Sequence, residues 1–172
     1  MKRLLPPTLL SATLLSAALL LSSAAAAQTA GAPALPDPTG YASAAEIKAQ
    51  VEAMRQALKP GQGFMWRPLV RGGDAVAALE YWTRPGKPAA HPGQAEYVMV
   101  VAGEGTMVSG GRLVDPATTN PTLIEGSRIE GGTTRSLHPG DVFLVPAGTP
   151  HWFGISGERL VLLGTKIAQA GR

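Results

Sequence analysis

Imidazoles and carboxylates are the groups through which this 172-residue chain could do chemistry, because it has three histidines and no cysteine. In His91-Pro92-Gly93-Gln94-Ala95-Glu96 the central Pro-Gly favours a tight turn. Four residues separate His91 from Glu96, a spacing that would let the two close a hairpin-like connection and stand opposite each other on neighbouring strands. Directly opposed residues have Cβ atoms about 5 Å apart, so the imidazole and the carboxylate could share one metal ion. The second histidine of interest, His151, comes straight after the apolar run Val142–Val145, which reads as a buried strand, and the turn Pro146-Ala147-Gly148-Thr149-Pro150. Two histidines and a carboxylate on rigid strands make a facial triad with open positions for water, substrate or dioxygen. That set is typical of non-haem iron and compatible with manganese, nickel or zinc. Open positions point to a catalytic rather than a structural metal. The competing reading of His151 is a packed core histidine without metal. His138 precedes Pro139-Gly140 and reads as an exposed turn residue.

The elements that must position these groups are mostly strands. Ala45, Ile47, Val51, Met54 and Leu58 recur at helical spacing, Glu46 falls in the first turn, and Pro60-Gly61 stops the run. One amphipathic helix, Ser43 to Leu58, is therefore expected. Beyond Gly61 no helical period is sustained. Short apolar or alternating runs follow instead: 64–69, 75–83, 96–102, 106–108, 135–137, 141–145, 151–155 and 160–167, with Gly and Pro turn residues between them. This is the pattern of an all-β antiparallel sandwich or barrel. The one long interruption, Leu113 to Gly132, contains a short echo, Ile124-Glu125-Gly126 and Ile129-Glu130-Gly131, which reads as a local hairpin or irregular loop. Its charges could rim an opening or simply face water.

Residues 1–27 read as a secretory signal peptide: Lys2 and Arg3, the uncharged apolar stretch Leu9 to Leu21, and Ala25-Ala26-Ala27 before Gln28. Residues 28–42 read as a disordered linker, 43–60 as the helix and 61–172 as the β-barrel domain. The expected location is periplasmic or secreted, with no membrane association after cleavage. The leader carries two of the positive charges and no acidic residue, so the formal net charge falls from +3 to +1 without it. No Lys/Arg cluster remains to hold nucleic acid.

Gly140-(x5)-Pro146-x-Gly148-(x2)-His151 resembles the second sequence motif of the cupin family at each fixed position through the histidine. Glu96-(x6)-Gly103 is similar to the end of the family's first motif, and His91 falls on that motif's second histidine. The family's first histidine falls on Ala89. The resemblance implies a cupin-type double-stranded β-helix, or jelly-roll barrel, preceded by the helix. It implies one divalent transition metal ion (iron, manganese, nickel or zinc) held by His91, Glu96 and His151. The expected function is an exported metal-dependent enzyme acting on a small organic molecule, of lyase, isomerase or dioxygenase type. The alternative is a non-enzymatic small-ligand-binding cupin with little or no metal. Tyr97, Glu104 or a metal-bound hydroxide could serve as general base. The aromatics Trp66, Tyr81, Trp82, Tyr97 and Phe143 read as core rather than substrate platform. Self-association as a homodimer would cover sheet edges.

Overall fold

The computed structural model describes residues 36–169. The expected signal peptide, and residues 28–35 of the expected linker, lie outside the described residues; residues 36–42 form no helix or strand. Helix α1 (Ala44–Ala57) begins where the sequence places it. Ser43 caps it, its hydroxyl accepting from the Glu46 amide while the Glu46 carboxylate accepts from the Ser43 amide. This reciprocal box satisfies two amide groups that the first helical turn would otherwise leave without partners. No helix among the described residues is long and apolar enough to cross a membrane.

The rest is antiparallel sheet. Strand β1 (Phe64–Gly72) pairs with β2 (Ala75–Trp82), and β2 pairs with the far half of β11 (His151–Ala168). Strand β4 (Gln94–Ser109) runs along almost all of β11 and also pairs with β9 (Thr133–Leu137) and β10 (Val142–Val145). The short β3 (Ala89–Ala90) lies beside the start of β11, and β7 (Leu123–Glu125) links β3 to β6 (Ala117–Asn120). A separate two-stranded sheet joins β5 (Arg112–Val114) to β8 (Arg128–Glu130). The architecture is the expected all-β jelly roll with one helix.

Period-two alternation sorts the side chains into two cores. Val98, Val100, Met107, Leu137, Phe153, Leu160 and Leu162 fill the barrel interior. On the outer face Leu79, Tyr81 and Val161 receive Met54 of α1. Glu80 and Trp82, alternating with Leu79 and Tyr81 along β2, turn instead to the inner cavity.

Four expectations are corrected. The runs 96–102 and 106–108 form the single strand β4, and 151–155 and 160–167 form the single strand β11. A register shift between Ile155 and Leu160 absorbs the polar stretch. Gly103 permits it: its φ is +76°, and a Cβ there would stand 2.1 Å from the Arg159 carbonyl oxygen. The interruption Leu113 to Gly132 holds four short strands, and its two Ile-Glu-Gly echoes sit in different sheets, because β7 pairs with β3 and β6 while β8 pairs with β5. The apolar run Val142–Val145 is an edge rather than a buried strand: it pairs with β4, and Val142 and Leu144 are more than half exposed. Finally, β3 and β4 are not partners, so His91 and Glu96 do not face each other across a hairpin. Both edges of Ala89–Ala90 are taken, one by β11 and the other by β7, which leaves none for β4.

Candidate metal centre

His91, Glu96 and His151 nevertheless meet. One ligand atom from each lies within 4.8 Å of the others, with Glu96 and His151 buried and His91 nearly so. Three backbone features bring this about. Glu96 is on the inward phase of β4 with Val98 and Val100. His151 is the first residue of β11, delivered by a turn in which the Thr149 amide donates to the Pro146 carbonyl, 3.1 Å, and Gly148 has φ +75°. Glycine suits that third turn position because an L side chain strains there. His91 is held by its main chain: the Gly148 amide donates to the His91 carbonyl at 2.8 Å. The glycine of one motif thus anchors the histidine of the other.

Both imidazoles are fixed in one tautomer. His91 Nδ1 is 2.9 Å from the Thr122 carbonyl oxygen and His151 Nδ1 is 3.0 Å from that of Thr149. A carbonyl only accepts, so each Nδ1 carries a proton and donates it, and each Nε2 turns to the centre. His151 Nε2 is 3.2 Å and His91 Nε2 3.8 Å from Glu96 Oε2. The neutral His91 ring turns the Nε2 lone pair toward the carboxylate oxygen, an arrangement that a cation between them resolves. Glu96 Oε2 is buried, and although nitrogens crowd it, none is aligned as a hydrogen-bond donor. Two ring nitrogens with backbone-anchored Nδ1 atoms, facing a buried carboxylate oxygen short of hydrogen bonds, fit a divalent metal ion.

Lys166 is the member of the centre that motif reading missed. It is opposite Glu96 in the β11–β4 register. Its Nζ lies 2.6 Å from Glu96 Oε2 and 2.8 Å from His91 Nε2. The available signal was its phase: Leu160, Leu162 and Lys166 share the inward face of β11, so a lysine falls where an apolar residue belongs. Burial raises the Glu96 carboxyl, but contact with His151 and the charges of Lys166 and His151 outweigh it and hold the group at about 2. Burial, followed by the charge of Lys166, pushes His91 below its ordinary value and keeps the ring neutral.

The centre lines a cavity of about 470 Å³. Ala89 lines it too, paired with His151 across the strands, so the position matching the family's first histidine does face the centre. The aromatic expectation is divided: Tyr81 is core, whereas Trp66 and Trp82 form cavity wall together with Phe64 and Phe153. Tyr97 points away from the centre, being on the opposite phase of β4 from Glu96, and Glu104 is exposed. Neither lines the cavity. Glu80 does line it, beside Glu96, and its Oε2 accepts from Trp82 Nε1 at 3.1 Å. Burial, and then the charge of Glu96, raise its pKa. His138 is exposed as expected. Of the charges in the 113–132 segment, Glu125 reaches the cavity rim, while Glu130 pairs on the surface with Arg128 and with Arg112, which directly precedes the segment.

Comparison with known proteins agrees with this fold. Residues 85–169 match the family model described as Cupin. Among solved structures, the chain is similar to a hydroquinone 1,2-dioxygenase, PnpCD, in complex with Cd2+ and 4-hydroxybenzonitrile: 19% identity, 68% of this chain and 70% of that one covered, TM-score 0.51. It is also similar to the hydroquinone 1,2-dioxygenase from Sphingomonas sp. TTNP3 with 4-hydroxybenzoate bound: 16% identity, 70% and 73% covered, TM-score 0.51. At such identities the likeness concerns the fold. No curated protein matches the sequence.

Proposed function

We propose, for a chain whose residues 85–169 match the cupin family model, an exported metal-dependent enzyme acting on a small organic molecule. His91, Glu96 and His151 would hold one divalent transition metal ion: iron, manganese, nickel or zinc. The observation that carries the reading is the pair of imidazoles, each anchored through Nδ1 to a backbone carbonyl, converging on a buried carboxylate at the wall of a 470 Å³ cavity. A bound metal of this kind supplies Lewis-acid polarisation of a substrate oxygen, or dioxygen chemistry if it is iron.

The chain's own residues do the rest. Phe64, Trp66, Trp82 and Phe153 give the cavity flat apolar walls that suit a planar substrate and exclude water from one side of it. Glu80, raised by burial, is placed to hold a proton, since Trp82 Nε1 occupies Oε2 and leaves Oε1 for proton exchange with substrate. Lyase, isomerase and dioxygenase types all fit this arrangement. Two observations favour the alternative, a non-enzymatic small-ligand-binding cupin: Ala89 stands where a fourth ligand would be, and Lys166 already balances Glu96. The periplasmic or secreted location rests on the leader-like residues 1–27, and a homodimer is proposed because β10 leaves an apolar edge face exposed.

The test is turnover. Protein loaded in turn with Fe2+, Mn2+, Ni2+ and Zn2+ is assayed against a panel of phenols, hydroxy acids and unsaturated sugar acids, following substrate loss and oxygen uptake. Metal-dependent consumption that chelation abolishes is expected, with oxygen uptake selecting the dioxygenase type. Saturable ligand binding without turnover under any metal would replace the enzyme with the binding module.

A further inference from the structure

Lys166 contacts two of the three proposed ligands at the atoms a metal would need. Its Nζ is 2.6 Å from Glu96 Oε2 and 2.8 Å from His91 Nε2. Nδ1 of His91 carries the proton given to Thr122, so Nε2 has a single lone pair. While that pair accepts from an ammonium it cannot bind a metal ion. A divalent cation placed on Nε2 and Oε2 would also meet the ammonium at contact range, where two positive charges repel strongly in a largely buried site. Lys166 is not trapped there. Its side chain is 33% exposed and lines the cavity beside Glu80, so its flexible stem can carry the charge away from the centre and toward a second carboxylate.

We propose that Lys166 is the resident cation of the metal-free centre, balancing Glu96 and occupying His91, and that metal binds by displacing its ammonium. The inference rests on the reading of His91, Glu96 and His151 as the ligands. It makes Lys166 a positioning residue that sets metal affinity: the centre is charge-balanced when empty, and a metal must compete for it. The lysine therefore stabilises the metal-free fold and weakens metal binding, two effects of opposite sign that a merely structural lysine would not combine.

The experiment compares wild-type protein with Lys166→Met and Lys166→Gln, measuring Mn2+ and Zn2+ affinity by chelator competition and the thermal midpoint with and without metal. Affinity in both variants is expected to rise by about 10- to 100-fold, the scale on which neighbours of metal ligands tune affinity. In chelator the variants should melt below wild type, because Glu96 loses its counter-charge, and added Mn2+ should raise their midpoints by more than it raises that of wild type. Metal binding by the variants alone would support the exchange in its strongest form. Equal or weaker affinity in folded variants, with wild type binding metal, overturns the exchange and leaves the ligand set standing. Metal uptake by none of the three proteins overturns the ligand set and the exchange together.

Discussion

At the scale of single residues, the centre is a set of charges held close together in a poorly solvated space. Glu80 and Glu96 respond to it in opposite directions: burial and its neighbouring carboxylate push Glu80 up, while His151 and Lys166 hold Glu96 at about 2 despite burial. A carboxyl raised in the fold contributes stability below its unfolded value, near 4.5, and loses that contribution as pH rises through the folded value. Glu80→Gln keeps an acceptor for Trp82 Nε1 and removes the titration. The variant should therefore melt above wild type at pH 8, and the difference should shrink toward zero by pH 4. Scanning calorimetry across that range checks it, and a difference independent of pH would contradict it. The three proposed ligands were legible in the sequence because imidazole and carboxylate spacing is a chemical signature. Lys166 and Glu80 were not, because a charged residue on a strand is ordinarily read as solvent-facing, and only the register with Glu96 and the phase of β2 turn these two inward. Backbone partners such as the Thr122 carbonyl leave no trace in residue type.

At the scale of elements, the helix and the turns were readable from local rules, and the strand connections were not. Ser43 and Glu46 specify the helix start, and the Pro146–Pro150 turn specifies where His151 appears. Which strand β3 would join depends on long-range pairing, so the hairpin reading of His91 and Glu96 failed even though the two residues do come together. Long strands were divided at Gly103 and around Gly157, since a bulge and a turn use the same residue types. The 113–132 segment proves to be structural: β7 pairs with β3, and Thr122, which precedes β7, orients His91. Helix α1 is separate in role. Met54 is fully buried against the outer face of the sheet, across from the cavity. Met54→Ala should cost about 2 to 5 kcal/mol in urea unfolding while metal affinity stays at the wild-type value. A matching loss of affinity would mean that the helix layer and the centre are coupled.

At the scale of the whole molecule, the jelly roll separates stability from chemistry. The barrel interior is divided between an apolar end, around Val98, Val100, Leu160 and Leu162, and a polar end, where His91, Glu96, His151 and Lys166 share a cavity with aromatic walls. Fold class was legible because alternation and turn spacing are properties of the entire chain. The substrate was not, because it depends on the shape of a cavity built from six strands and the loops between them. The central claim, that His91, Glu96 and His151 form one metal centre, is tested most directly by elemental mass spectrometry of protein isolated without chelators or affinity tag, beside His91→Ala and His151→Ala variants shown by circular dichroism to be folded. The account predicts a transition metal close to one per chain in wild type after incubation with iron, manganese, nickel or zinc, and its loss from both variants. Metal absent under all four conditions from wild type and from Lys166→Met alike, or retained equally by both histidine variants, would contradict it.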